Sequence, residues 1–301
     1  MDNIPFCIKP VTIADKEIID SYFKEASIIN SESTFTNLFM WQVPYNIRYA
    51  IIDDCLCIFA KHNDRPESVN FPFGNGDAAS ALKKILDYFK ITGNPPKIRL
   101  YGQSQKKFVE EHFPDTFHFK TDIDAADYVY NIDDLINLPG SKYHSKRNHI
   151  NKFKSLYDFK YHPMTPDFRE DCRLMFNHWC ESKRDVIDNI DEQLAAVNRL
   201  LDNWEDLDIV GGCITVDGQM VAFSFGEVLS QKESIVVIHL EHADVDFQGS
   251  FPMINQQFLE HEWNDFRFVN REEDMGLEGL RKAKKSYHPI LMTDKYIATL
   301  K

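Results

Sequence analysis

Apolar residues in this chain switch between helical spacing and strand alternation, and the order of the switches occurs twice. An extended FCIKPVTI comes first, and Asp15 then opens a helix in which Ile18, Ile19, Tyr22 and Phe23 recur at helical spacing. A second helix is expected from about Ser33 to Trp41. YNIRYAIIDDCLCIFAKH alternates as a hairpin turning at Asp53-Asp54. SVNFPF is a strand, and GNGD leads into a helix with Leu82, Ile85, Leu86 and Phe89 on one side. A strand in KIRLYG, a helix in SQKKFVEEHF and strands in FHFKTDIDAADYVYNI complete the first half.

The second half opens on helices from Phe168 to Cys180 and from Ile190 to Trp204, the latter with Leu194, Val197, Leu200, Leu201 and Trp204 on one face. DIVGGCITVDGQMVAFSFGEVLS reads as a hairpin, because Asp217-Gly218 suits a type I′ turn between alternating strands. ESIVVIHLEHA is apolar on both faces in its first half, the pattern of a strand in the middle of a covered sheet. A helix from Pro252 to Trp263, a strand in FRFVN, a further helix and a closing strand in ILMTDKYIATL follow.

Both halves therefore read helix, helix, hairpin, strand, helix, strand, helix, strand. Their residues differ, so the repeat is one of architecture. The boundary falls at Asn137-Leu138-Pro139-Gly140, giving units over 1–137 and 138–301. This order resembles that of the GNAT acyltransferase fold, a mixed α/β sheet flanked by helices, here expected as two tandem units. A doubly wound dinucleotide fold would need strict strand–helix alternation and a glycine fingerprint after the first strand, and the sequence has neither.

Composition narrows the chemistry. With 301 residues the chain is long enough for two domains, and its net charge of −13 excludes a general polyanion-coating protein. Any phosphate site must then be a local basic patch on an acidic body. No apolar run is long enough to cross a bilayer, and MDNIPFCIKP lacks the basic start and apolar stretch of a signal peptide. The six cysteines form no CxxC pair and keep no ligand-like spacing to histidine, so buried reduced thiols in a cytoplasmic protein are expected.

Four stretches carry candidate chemistry. In ADVDFQGSFPMINQQFLEHEW a strand passes through Gly249 into a helix with Ser250 as its cap, followed by Phe251 and by Pro252 in the first turn. Free amides and the helix dipole at such a turn can cradle a pyrophosphate, although Gly-Ser is also a common way to begin a helix. In NREEDMGLEGLRKAKKSYHP a helix from Leu277 to His288 places Leu277, Leu280, Ala283 and Tyr287 in one arc. Lys284 falls inside that arc and Arg281 on its edge. A lysine there either snorkels out of an apolar face or borders a cleft that holds an anion. SKYHSKRNHINKFKSLYDFKYH carries Lys142, Lys146, Arg147, Lys152, Lys154 and Lys160 against Asp158, with aromatics between them, and is either a solvated helix face or a patch for phosphate groups. In HLEHADVD, His239 and Glu241 share a strand face and can act as a base for an amine or remain a buried pair; a third ligand at metal-site spacing is missing, so no metal is expected. No GxSxG, Walker, HExxH or nucleophilic cysteine arrangement occurs.

The Asn-Arg-Glu-x-Asp-x-Gly…Gly-Leu-Arg-Lys-x-Lys…Tyr-x-Pro run, with YHSKRNHINKFK upstream, resembles the family named after the C-terminal domain of phosphatidylglycerol lysyltransferase, tandem GNAT-fold proteins distantly related to Fem-type peptidyltransferases. The resemblance implies an acyltransferase or aminoacyltransferase whose site lies mainly in the second unit. The membrane-bound members transfer an amino acid from aminoacyl-tRNA to a lipid headgroup, whereas this chain lacks their multi-span region. The first expectation is therefore a soluble enzyme moving an acyl group from acyl-coenzyme A to an amine or hydroxyl acceptor, a small molecule or a lipid headgroup. The alternatives are an aminoacyl-tRNA-dependent transferase and a non-catalytic module that binds a nucleotide or RNA. By analogy with the fold, Tyr287 protonates the leaving group and Glu241 or Asp274 is the base. Gly249, Ser250, Phe251, Lys146, Arg147, Arg281 and Lys284 hold the phosphorylated donor, and Asn270, Arg271 and His239 line the acceptor side.

Overall fold

The computed structural model describes residues 6–26 and 28–301; residues 1–5 of the stretch MDNIPFCIKP, expected not to be a signal peptide, lie outside them. In chain order the elements are β1 (Lys9–Pro10), α1 (Lys16–Ala26), α2 (Phe35–Met40), β2 (Arg48–Ile52), β3 (Cys55–Ala60), β4 (Ser68–Asn70), α3 (Ala78–Thr92), β5 (Lys97–Tyr101), α4 (Gln103–His112) and β6 (Phe117–Thr121). There follow β7 (Tyr128–Asn131), α5 (Ile132–Asn137), α6 (His144–Leu156), β8 (Phe159–Pro163), α7 (Arg169–Lys183), α8 (Ile190–Asn203), β9 (Val210–Val216) and β10 (Gln219–Ser230). The chain closes with β11 (Ile235–Ala243), α9 (Ser250–Glu262), β12 (Phe268–Asn270), α10 (Glu278–Lys285), β13 (Leu291–Met292) and β14 (Lys295–Leu300). Among the described residues no helix is long and apolar enough to cross a membrane.

Two mixed seven-stranded sheets result, in the orders β1-β2-β3-β4-β5-β14-β6 and β13-β7-β12-β11-β10-β9-β8. Two compact units contain them: Met1–Ala126 with Glu273–Gly276 and Met292–Lys301, and Asp127–Glu272 with Leu277–Leu291. Strands thus cross the linear boundary expected at 137/138 in both directions. Tyr128–Asn131, read as closing the first half, pairs with β12 in the second sheet, and Lys295–Leu300, read as closing the second half, lies between β5 and β6 in the first. Burial gives the reason for the first placement: Tyr128, Val129 and Tyr130 are all buried, which suits an interior strand covered on both sides.

In the first unit the hairpin turns at Asp53-Asp54, both in the left-handed region (φ 50° and 58°), as a two-residue primed turn requires. α3 crosses between parallel β4 and β5, opens on Asp77, whose carboxylate accepts the Ser80 amide at 2.9 Å, and stops at left-handed Gly93. Its Leu82, Ile85 and Phe89 pack into a core with Phe59, Val69, Ile98 and Leu100. Glu32 accepts Arg99 Nη2 at 2.7 Å, Tyr101 Oη at 2.9 Å and Lys295 Nζ at 3.2 Å, tying the loop before α2 to β5 and β14. Burial pushes the Glu32 carboxyl up, but Arg99, Lys295 and the Tyr101 hydroxyl overcome it and hold it at about 2. That stabilisation is present above the ordinary carboxylate pKa and is lost as pH falls toward 2. Urea denaturation should therefore show stability falling between pH 5 and pH 3, and Glu32→Gln should lower stability at pH 7 and flatten that acid dependence.

In the second unit Asp217-Gly218 forms the expected primed turn between β9 and β10 (φ 51° and 81°). β11 is central, between β10 and β12, as its doubly apolar pattern predicts. α9 is the crossover to parallel β12. α6 and β8 occupy the basic stretch, and the β8 strand escapes notice in the sequence because it lies at the sheet edge, with only partial burial and no clean alternation. The cysteines are free thiols, buried except for Cys7.

Candidate active site

The site is set by where two parallel strands stop pairing. β11 runs to Ala243, yet β12 meets it only over Ile235–Val237 against Phe268–Asn270. Beyond Asn270 the chain turns away at Glu272, whose φ of 55° is a left-handed conformation that costs a residue with a Cβ. The Glu272 amide donates to Asn270 Oδ1 at 2.7 Å. The Glu272 carbonyl accepts the Tyr128 amide and Lys284 Nζ, both at 3.1 Å. Asn270 is itself fixed by donating from Nδ2 to buried Asp127 at 2.8 Å. The Glu272 carboxylate accepts His239 Nδ1 at 2.8 Å, and Glu227 accepts Nε2 of the same ring at 2.7 Å. The His239 side chain is fully buried; burial alone would lower it, but the two carboxylates raise it to about 10, so the ring is an imidazolium that clamps the turn.

Past the paired stretch, charged side chains and aromatic rings bridge the two strand ends. Arg271 donates from Nη2 to Glu241 Oε1 at 2.7 Å, and Asn255 of α9 donates to the other Glu241 oxygen at 3.0 Å. Arg271 Nη1 is buried without a hydrogen-bond acceptor. The guanidinium stands 4.9 Å from the Tyr287 ring centroid and 5.8 Å from that of Tyr130. Lys146, from α6, stands over the Tyr287 ring with Nζ at 3.8 Å. Burial first, and the Arg271 charge second, lower the Lys146 ammonium to about 8 against the pull of Glu241. Burial raises the Tyr287 phenol, which keeps its proton near neutrality.

The residues singled out in the sequence separate into distinct roles. Tyr287, Glu241, Arg271 and Lys146 come together, and His239 and Asn270 hold the adjoining turn. Both Glu241 oxygens are engaged, which fits a charge partner better than a free base. Asp274 belongs to the first unit, where it accepts the Gly276 amide at 2.9 Å. Arg147 is spent on the Leu138 and Gly140 carbonyls. Arg281 is half-buried on α10. The arc expected to be a core is only half covered: Leu277 is 52 % exposed and Ala283 is exposed, whereas Leu280 is half-buried and Tyr287 buried. Lys284 Nζ turns in to the Arg271 and Glu272 carbonyls, which closes the end of β12. Lys284→Met is accordingly expected to lower unfolding free energy by about 1–3 kcal/mol, the cost of leaving the Arg271 carbonyl without its donor while the Glu272 carbonyl keeps the Tyr128 amide, measured by urea denaturation.

The turn before α9 also differs from its sequence reading. Gly249, not Ser250, is the cap, left-handed with φ 95°. A Cβ there would fall 2.4 Å from the His149 carbonyl of α6, so the glycine serves a close backbone approach. Ser250 Oγ donates to the Asp244 carbonyl at 2.7 Å. The amides of Asp244, Asp246, Phe247, Gln248, Ser250 and Met253 already donate within the protein, and Pro252 has none. Few amides remain for a pyrophosphate, and Asp244 and Asp246 stand beside them. Phe251 is partly exposed, its ring 6.4 Å from that of His242.

Sequence reasoning missed Glu227, Asn255 and Tyr130. A lone acid inside the apolar strand AFSFGEVLS and a buried amide on an otherwise apolar helix face are the signals that mark the first two.

Two mixed sheets, the second opened between its parallel strands beside a crossover helix, define a protein of tandem GNAT-like acyltransferase fold. A tandem GNAT protein from the clavulanic acid biosynthesis pathway shares that fold with a TM-score of 0.54 at 8 % identity, over 98 % of each chain. Residues 24–299 match the family described as phosphatidylglycerol lysyltransferase, C-terminal, and the chain belongs to that family. It is 34 % identical to a conserved protein of unknown function from Bacteroides thetaiotaomicron VPI-5482, covering 99 % of this chain and 100 % of that one with a TM-score of 0.91. The L-PGS structure from Bacillus licheniformis is 15 % identical over 97 % of this chain and 92 % of that one, with a TM-score of 0.66. No curated protein matches the chain.

Proposed function

We propose that this chain is an aminoacyltransferase that takes its acyl group from a charged tRNA and passes it to an amine or hydroxyl acceptor in the opened strand gap of the second unit. The observation that carries this choice of donor is the turn before α9. Most of its amides, those of Asp244, Asp246, Phe247, Gln248, Ser250 and Met253, are engaged inside the protein and Asp244 and Asp246 stand beside them, which argues against the pyrophosphate cradle that acyl-coenzyme A needs. The exposed lysines of the α6–β8 stretch, Lys152, Lys154 and Lys160, suit a phosphodiester backbone. Membership of a family described by a lysyltransferase points the same way.

The roles follow from the geometry. Arg271, its charge balanced by Glu241, directs an unshared N–H toward an oxygen that gains negative charge during acyl transfer. Tyr287 keeps its proton and can give it to the departing oxygen. No covalent enzyme intermediate is needed, since alignment of acceptor and carbonyl supplies much of the rate.

The test is discharge of a pool of charged tRNA in a cell extract that supplies lipid and soluble acceptors, with acetyl-coenzyme A turnover followed in parallel. Discharge with transfer of the label to an acceptor is expected. Acetyl-coenzyme A consumption with inert charged tRNA would replace the donor, and no turnover of either would leave a binding module.

A further inference from the structure

We propose that Lys146 is the base that takes the proton from the acceptor as it attacks the acyl carbon. This rests on the transferase reading above, with charged tRNA as the donor.

The cationic side chains around the gap do not have equal freedom. Lys284 Nζ is bound by two backbone carbonyls and the Arg147 guanidinium by two more. Arg271 is paired with Glu241. Lys146 differs from all three: its Nζ rests on the face of Tyr287 and makes no ion pair or hydrogen bond among the described residues. An aromatic face attracts an ammonium but forms no bond that must break before a proton moves. The lysine is carried by α6, which Ile150 and Phe153 anchor in the core, so its position is set by a helix and not by a loop.

The charges that face it are Arg271 and Glu241, with the Tyr287 and Tyr130 phenols beside them. Because Arg271 and Glu241 largely cancel, burial dominates and the ammonium sits at about 8. At neutral to slightly alkaline pH a sizeable share of Lys146 is a free amine, close to the optimum for a base working in that range. Such a base can take the proton of an attacking amine or hydroxyl.

In the step proposed, the acceptor nitrogen or oxygen forms a bond to the acyl carbon and the bond from that carbon to the ribose oxygen breaks. The proton lost by the acceptor goes to Lys146 Nζ. The departing oxygen takes the proton of Tyr287 Oη, and exchange with water then returns Lys146 to the amine and Tyr287 to the phenol.

The test compares wild type with Lys146→Arg and Lys146→Met in single-turnover discharge of the charged-tRNA pool, in the same extract, from pH 6 to 10. Arginine keeps the charge and the aromatic contact but cannot act as a base. The wild-type rate should rise with pH to a plateau above about 8. Lys146→Arg should fall roughly 100-fold or more and lose that inflection, while filter binding of the tRNA pool changes less than about threefold. A Lys146→Arg enzyme with near wild-type rates and the same pH profile would overturn the assignment while leaving the transferase reading intact. A wild type without turnover would sink both.

Discussion

Replacing His239 by Leu is expected to cost about 3–5 kcal/mol, the loss seen when a buried ion pair is left with one partner. Here two carboxylates are stranded at once, those of Glu227 and Glu272. Urea denaturation at pH 7 measures it, and Glu227→Gln in the same background should restore part of the loss. The pH dependence has a definite sign. The folded imidazolium sits at about 10, above its ordinary value of 6.5, so its stabilisation is complete below that value and is lost as pH rises through 10. Wild type should therefore weaken between pH 7 and pH 10.5 more steeply than His239→Leu. A functional loss should accompany the structural one, because the turn that His239 clamps at Glu272 follows directly on Arg271 and so sets its position.

Arg271→Met is expected to reduce transfer by about 10²–10³-fold, the range found when one preorganised donor to a developing oxyanion is removed. It also leaves Glu241 with Asn255 as its remaining partner, so the protein itself should be destabilised. The double variant Arg271→Met with Glu241→Gln separates the two effects. Neutralising both members of the pair should recover most of the stability and none of the transfer. Recovery of transfer along with stability would mean that Arg271 serves the fold alone.

Much of this architecture is legible in the chain because short-range rules decide it. Asp217-Gly218 permits one kind of hairpin, and the doubly apolar start of β11 requires a covered, central strand. The exchange of β7 and β14 between sheets is not legible, because alternation says which face a strand buries but not which sheet it joins. Lys284 illustrates the same limit at the site. Its position on α10 marks it as anomalous, yet only the path of β12 shows that backbone carbonyls, and not phosphates, meet its ammonium. Gly249 fits the pattern of an anion-binding turn, and the His149 carbonyl behind it gives the glycine a different reason. The grouping of Lys146, Arg271, Glu241 and Tyr287 joins residues far apart in sequence, and no local pattern links them.

The most direct measurement is a crystal structure of the protein with a 3′-aminoacylamido-3′-deoxyadenosine, an uncleavable mimic of the charged tRNA end. The account predicts the acyl carbonyl bound among Lys146, Arg271 and Tyr287, past the point where β11 and β12 separate. An analogue seated anywhere else, or a gap that stays closed to it at millimolar concentration, would contradict it.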